Sequence, residues 1–270
     1  MRLIRFLSSG RLYHGSFIDP NWAHPLLNDL LDAKPQVDTH RTLKIDRLLA
    51  PIIPTDILCI GLNYREHAKE TGSPIPVNPM LFIKASGTLN NPGDAIVAPS
   101  ISTQVDYEAE LAVVIAKDAR NVSKENAFDY ILGYTCANDV SVRDWQKEKS
   151  LGGGQFARGK SFDTHCPLGP WIVTKDEIEN PNALQIKGYL NGEVWQDAST
   201  SDMIFDVATL IENLSRTMTL RAGAVLLTGT PHGVGVARNP QVWLKAGDKF
   251  AVEIEKIGRL ENPVISQGNE

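Results

Sequence analysis

No stretch of this chain approaches the roughly 20 consecutive apolar residues that a membrane-spanning helix requires, so no membrane partner is expected. Cysteine is scarce. Cys59, Cys136 and Cys166 are too few and too widely spaced for a disulfide framework or a CxxC metal site, which points to a reducing compartment, cytoplasmic in the first instance. Positive charge is in deficit: 27 Lys and Arg stand against 32 Asp and Glu, and no segment clusters the basic residues. Nucleic acid is therefore not an expected partner, although a local basic pocket still admits acidic small molecules. There is no internal repeat and no low-complexity tract.

What is present is ordinary globular material. The chain has 270 residues, 42% of them apolar and 22% charged, enough for one large domain or a large domain with a small appendage. Arg2, Arg5 and Arg11 with Ser8 and Ser9, and no acid before Asp19, faintly resemble a mitochondrial presequence. The same residues fit a strand, a turn and a second strand better, because Leu3, Ile4, Phe6 and Leu7 precede Ser-Ser-Gly. Residues 1–50 are expected to form a small N-terminal subdomain, with a helix near 22–31 that ends before Pro35.

From Pro51 onward strand signals dominate, at 56–62, 80–85, 107–116, 130–140, 184–190, 193–196, 224–228 and 249–255. Asn191-Gly192 between two of them predicts a type I′ hairpin, since both turn positions need positive φ. Asp206 followed by Val207, Leu210, Ile211, Leu214 and Met218 predicts an N-capped amphipathic helix. Many strands with few crossover helices indicate an α+β or largely β architecture, with residues 51–270 as the main domain.

The most informative segment runs from Val105 to Ile115. On an extended strand Glu108 and Glu110 project from one face about 7 Å apart. That face continues into apolar Ala112 and Val114, so the two acids sit at the mouth of a pocket, where a cation is the usual remedy for buried negative charge. Glu253-Ile-Glu255 repeats the pattern near the C-terminus, and there plain solvent exposure is expected. Asp139 ends the apolar run from Tyr130 and offers a third oxygen ligand, or else caps the helix that follows. Three carboxylates without a His or Cys cluster suit Mg²⁺, Mn²⁺ or Ca²⁺.

Arg143 and Gln146 lie three apart on the next helix and share a face, so a substrate carboxylate is within reach of the Arg fork; the alternative is an exposed surface pair. Lys160 follows the glycine loop 152–154 and is suited to an anionic oxygen. The run Leu227-Thr-Gly-Thr-Pro231, with Gly233 and Gly235, offers amides and the Thr230 hydroxyl to an anion, but it lacks the endings of a nucleotide loop. His67 and Glu70, at i and i+3, make an imidazole oriented by a carboxylate, the arrangement of a general base. Glycine and proline on both flanks mark a movable segment that brings the dyad to bound substrate; a lone surface His is the plainer alternative.

Taken in order, Gly61-Leu-Asn-Tyr-Arg-Glu-His67, Asp106-Tyr-Glu-Ala-Glu-Leu111, Asn138-Asp-Val-Ser-Val-Arg-Asp-Trp-Gln146, the segment 160–169 and Thr228-Gly-Thr-Pro-His-Gly-Val-Gly235 resemble the fumarylacetoacetate hydrolase family. The resemblance runs from about residue 55 to the end and is closest to its short, single-core branch. It implies a mixed β-roll catalytic domain, a homodimer, and Mg²⁺ or Mn²⁺ held by Glu108, Glu110 and Asp139. It also implies that His67 and Glu70 activate water, that Arg143, Gln146, Lys160 and Thr230 hold substrate oxygens, and that the substrate is a small 2-oxo acid. Hydrolysis of a C–C bond in an acylpyruvate-like acid is the first expectation, with oxaloacetate tautomerisation or decarboxylation as the alternative. A silent metal-binding scaffold is the third.

Overall fold

The computed structural model describes residues 1–268 apart from 33 and 153, so the centre of the glycine loop 152–154 lies outside the described residues. Two large sheets carry most of the strands among the described residues, and a two-stranded ladder pairs Val105–Asp106 with Ser141–Val142. The larger is mixed, and its middle runs in the order Cys166–Thr174, Ile131–Asn138, Ala109–Ile115, Val225–Leu227, Ile57–Gly61 and Met80–Lys84, the last forming an edge. The pairings here are antiparallel except for Val225–Leu227 against Ile57–Gly61. The smaller sheet orders Glu193–Ser199, Gln185–Leu190, Lys249–Ile254, Gly258–Ser266 and Ile96–Ala98.

Strand Ala109–Ile115 is buried on both faces, and its parity splits the core. Leu111, Val113 and Ile115 pack with Ile186, Phe250, Val252 and Leu260 of the second sheet. Ala112 and Val114 face the other way, onto a cluster with Cys59, Ala137, Leu168 and Leu227. Each fully buried Val, Leu or Ile contributes about 1.5–3 kcal/mol, so register is strongly fixed on both sides.

Four α-helices accompany the sheets among the described residues: α1 (Arg65–Glu70), α2 (Arg143–Lys147), α3 (Phe156–Lys160) and α4 (Val207–Thr217). Helix α4 matches expectation: the Asp206 carboxylate accepts from the Thr209 amide at 2.7 Å, and Val207, Leu210, Ile211 and Leu214 are buried. Asn191 and Gly192 have φ of 54° and 86°, which bears out the type I′ turn. This is the mixed α+β fold with few helices that the sequence predicts.

The N-terminal hairpin also forms, from Arg2–Ser8 and Arg11–Asp19, and it joins the large sheet through Arg2 opposite Val173 and Leu3 opposite Ile172. The helix expected near 22–31 does not form. Trp22–Pro25 is a strand paired on one side with Arg11–Asp19 and on the other with Leu43–Lys44. Pro25 has no amide to give a helix and would break one, whereas in the strand Ala23 and Pro25 face inward. Two strands, Cys166–Thr174 and Gly258–Ser266, escape the periodicity reading because Pro167, Pro170 and Pro263 interrupt their patterns.

Candidate active site

The site forms where strand Ala109–Ile115 begins and its neighbour Ile131–Asn138 ends. Ala109 is opposite Asn138 and Glu110 is opposite Ala137. The Asn138 side-chain oxygen accepts from the Glu108 amide, and the Asp139 amide donates to the Glu108 carbonyl at 2.9 Å. These bonds carry the pairing one residue beyond the regular ladder. Glu108, Glu110 and Asp139 thus reach a common side of the sheet, with one carboxylate oxygen from each lying within 4.8 Å of the others. All three are buried.

Burying that much negative charge demands compensation. Lys160 Nζ bridges Glu108 at 2.5 Å and Asp139 at 2.7 Å. Arg143 donates from Nη2 to Glu108 at 2.6 Å, from Nε to Asp106 at 2.8 Å and from Nη1 to the Gln146 side-chain oxygen at 3.0 Å. Lys84 Nζ donates to Asp139 at 2.6 Å and to the Val140 carbonyl at 3.1 Å. Burial opposes ionisation of Glu108, but Lys160 and Arg143 outweigh it and hold the carboxyl at about 2.

Glu110 is different. It accepts from the Gly229 amide at 2.7 Å and, among the described residues, forms no ion pair. Burial, then the charges of Asp139 and Glu108, push its carboxyl well above the usual carboxylate range. Across the cluster, four buried carboxylates (Asp106, Glu108, Glu110, Asp139) face three cations (Lys84, Arg143, Lys160). The residues therefore fit a hard divalent cation: three converging oxygen donors, an excess of acidic over basic side chains, and one carboxyl whose neighbour is an amide and not a cation.

A cavity of about 180 Å³ opens above the cluster. Glu108, Glu110, Arg143, Gln146, Lys160 and Thr230 form its polar end, and His67 stands in the wall. The imidazole Nδ1 lies 2.7 Å from Glu70, whose two carboxylate oxygens each accept from the Gly233 amide at 3.0 Å. The sequence reading has substrate bringing this dyad in; in the structure His67 already lines the cavity, with Glu70 behind it. Gly233 has φ of 99°, and a Cβ there would meet the Trp195 carbonyl oxygen, so glycine is required for the amide to reach Glu70.

Thr230 sits in the same wall, but its hydroxyl donates to the Ala109 carbonyl and accepts from Gln196. Its proton is thus committed to the scaffold. Lys160 ends α3, and Gly154 to Ser161 spells the G-x4-G-K-S spacing of a phosphate loop. Among the described residues no strand leads into that segment, and the ammonium is locked between carboxylates, so a phosphate cradle is not built there. The repeat pair Glu253 and Glu255 is half-exposed and exposed, as expected.

Sequence reasoning missed three residues that this arrangement uses. Lys84 closes an edge strand and shares its face with Met80 and Phe82, which line the cavity, so its parity was readable. Asp106 accepts from the amides of Gly235 and Val236 while it holds Arg143. Gln196 ties the Ala109 amide to Thr230, from a strand 87 residues away. Only the tertiary pairing reveals the last two.

The sequence profile of the fumarylacetoacetate (FAA) hydrolase C-terminal family matches residues 56–265. The chain belongs to that family. Among curated relatives it is 48% identical to the mitochondrial oxaloacetate tautomerase fahd2 of Xenopus laevis over 219 residues, covering 81% of this chain and 68% of that protein. It is 47% identical to oxaloacetate tautomerase YisK of Bacillus subtilis over 212 residues, 77% of this chain and 69% of that one. Among solved structures, the 2-hydroxyhepta-2,4-diene-1,7-dioate isomerase of Mycobacterium marinum superposes with a TM-score of 0.86 at 38% identity, over the whole of both chains. The chain is accordingly an enzyme of the fumarylacetoacetate hydrolase family. Among the described residues no helix is long and apolar enough to cross a membrane.

Proposed function

We propose that this enzyme interconverts the keto and enol forms of a small 2-oxo dicarboxylic acid, oxaloacetate first among them. The observation that carries the reading is His67, held by Glu70, in the wall of a cavity lined by Glu108 and Glu110, two of three converging buried carboxylates. The activities named for the relatives support it: two are oxaloacetate tautomerases, and the structural neighbour is an isomerase of a dioate.

Glu108, Glu110 and Asp139 would hold Mg²⁺ or Mn²⁺, and the bound ion would supply a Lewis acid for the substrate's carboxylate and keto oxygens. Lys160 and Arg143 add fixed positive charge beside those oxygens; the anionic neighbours of each raise its pKa, so neither serves as the proton carrier. That task falls to His67. Its Nε2 takes the proton from C3 and returns it to the oxygen at C2, or the reverse, while Glu70 fixes the ring and stabilises the imidazolium. No water need attack, and no carbon–carbon bond breaks.

The test follows enol absorbance and pyruvate release separately, with oxaloacetate and Mg²⁺. The expected result is rapid loss of the enol signal without matching pyruvate, abolished by chelator. His67→Asn should lower kcat by about 10²–10⁴-fold. Pyruvate appearing in step with enol loss would replace tautomerisation by decarboxylation, and an inert protein would leave only the scaffold reading.

A second reading, hydrolysis of an acylpyruvate, uses the same dyad to deprotonate water, and the retained carboxylate-oriented imidazole favours it. Turnover of acylpyruvates in the same assay decides between them. Assembly as a homodimer belongs to the same proposal, and light scattering at twice the chain mass is the expected reading. Three free, buried cysteines suit a reducing compartment, cytoplasmic or mitochondrial.

A further inference from the structure

The cations around the cavity differ in how far they are already engaged. Arg143 serves Asp106, Glu108 and Gln146, Lys160 serves Glu108 and Asp139, and Lys84 is spent beneath the floor on Asp139. Lys147 is the exception. It is the last residue of α2, next to buried Gln146; it lines the cavity and is exposed at its mouth. Among the described residues its ammonium makes no ion pair or hydrogen bond. The nearest acid on its own helix, Asp144, is taken by the Ser102 hydroxyl at 2.8 Å.

The cavity lining also includes Ser73, whose oxygen accepts from the Thr71 hydroxyl at 3.0 Å. Met80, Phe82 and Phe156 give the lining an apolar part. A 2-oxo acid whose head lies among Glu108, Glu110, Arg143 and Lys160 therefore has apolar surface available to its chain and, among the described residues, an unpaired cation at Lys147. This layout suits a second anionic group at the far end of the substrate.

We infer that Lys147 is the specificity residue that selects dicarboxylic over monocarboxylic 2-oxo acids, by pairing with the carboxylate remote from the floor. The inference rests on the reading of the floor as the site of the 2-oxo acid head. It concerns the other end of the substrate and adds a residue that the family resemblance leaves unassigned. A Lys ammonium at a cavity mouth acts as a point charge, so the preference is for charge more than for the exact length of the chain.

The experiment compares oxaloacetate with its 4-ethyl ester on the Mg²⁺-loaded enzyme and on Lys147→Met, Lys147→Arg and Lys147→Glu. The ratio of kcat/KM for the diacid to that for the ester should fall about tenfold in Lys147→Met, through KM, because a charge-assisted hydrogen bond is lost. Lys147→Arg should keep the ratio and Lys147→Glu should lower it further. Raising the salt should erode the diacid preference of the wild type and not that of Lys147→Met. An unchanged ratio in Lys147→Met, or equal losses on both substrates, overturns the inference.

Calorimetric titration with 2-oxoglutarate and 2-oxopentanoate separates the two readings, since both carry the same head and only one has the second carboxylate. If oxaloacetate is not turned over, the tautomerase reading fails. A diacid preference in the titration that Lys147→Met abolishes still upholds the role of Lys147, and a wild type without that preference refutes it.

Discussion

Two strands carry the same short pattern of paired glutamates, Glu108 with Glu110 and Glu253 with Glu255, and the two pairs do opposite things. In Glu108-Ala-Glu110 the alanine and both glutamates are buried, and the glutamates share their side of the sheet with Ala112 and Val114. In Glu253-Ile-Glu255 the isoleucine is buried, and the glutamates turn outward, where Glu253 meets Arg259 at 3.4 Å. The middle residue and the parity decide between them. A large apolar residue between the acids claims the core and sends them to water, whereas a small one on a strand buried on both faces leaves the acids nowhere to go but a cavity. Negative charge becomes chemistry only where the fold denies it solvent.

The contrast breaks most sharply at the acids themselves. If Glu110 is the proposed metal ligand, Glu110→Gln should lower turnover about a thousandfold or more, while Glu253→Gln stays within about twofold; steady-state rates at saturating Mg²⁺ measure both. Stability is the next lever. Lys84→Met strips Asp139 of a fully buried partner and should cost about 3–5 kcal/mol in urea unfolding of the metal-free protein. Arg259→Met, which removes the exposed partner of Glu253, should cost less than about 0.5 kcal/mol.

The mildest effect is in pH. Burial and like charges raise the Glu110 carboxyl above its ordinary value, so the metal-free folded protein holds that proton more tightly than the unfolded chain does. Its contribution to stability is therefore largest below the ordinary carboxylate pKa and declines as pH rises from there toward the raised value. Because a cation must displace the proton, Mg²⁺ affinity should climb with pH by up to about tenfold per unit until Glu110 is ionised. Titration calorimetry in buffers of different ionisation heat counts the released proton, and a pH-independent affinity would show that Glu110 is not a ligand.

The distribution of what was readable follows from the same physics. Strand parity placed Glu108 and Glu110 on one face, and the strand end at Asp139 marked the third oxygen, because those are properties of contiguous residues. Helical spacing did the same for Arg143 with Gln146 and for His67 with Glu70. Partners that reach in from elsewhere were invisible: Asp106 lies 37 residues from Arg143, and Gln196 lies 87 from Ala109. At Trp22–Pro25 the apolar spacing suggested a helix, but pairing with strands on both sides prevailed.

The turn 229–235 gives one amide to the floor, at Glu110, and another to the dyad, at Glu70. The dyad is in effect latched to the bracket that supports the floor. Releasing it exchanges two contacts of a single amide for water, a cost of about 1–3 kcal/mol, small enough for frequent opening and large enough to keep the closed form dominant. One glycine nitrogen thus ties the dyad to its bracket, and any side chain at Gly233 would strike the Trp195 carbonyl oxygen and loosen that tie.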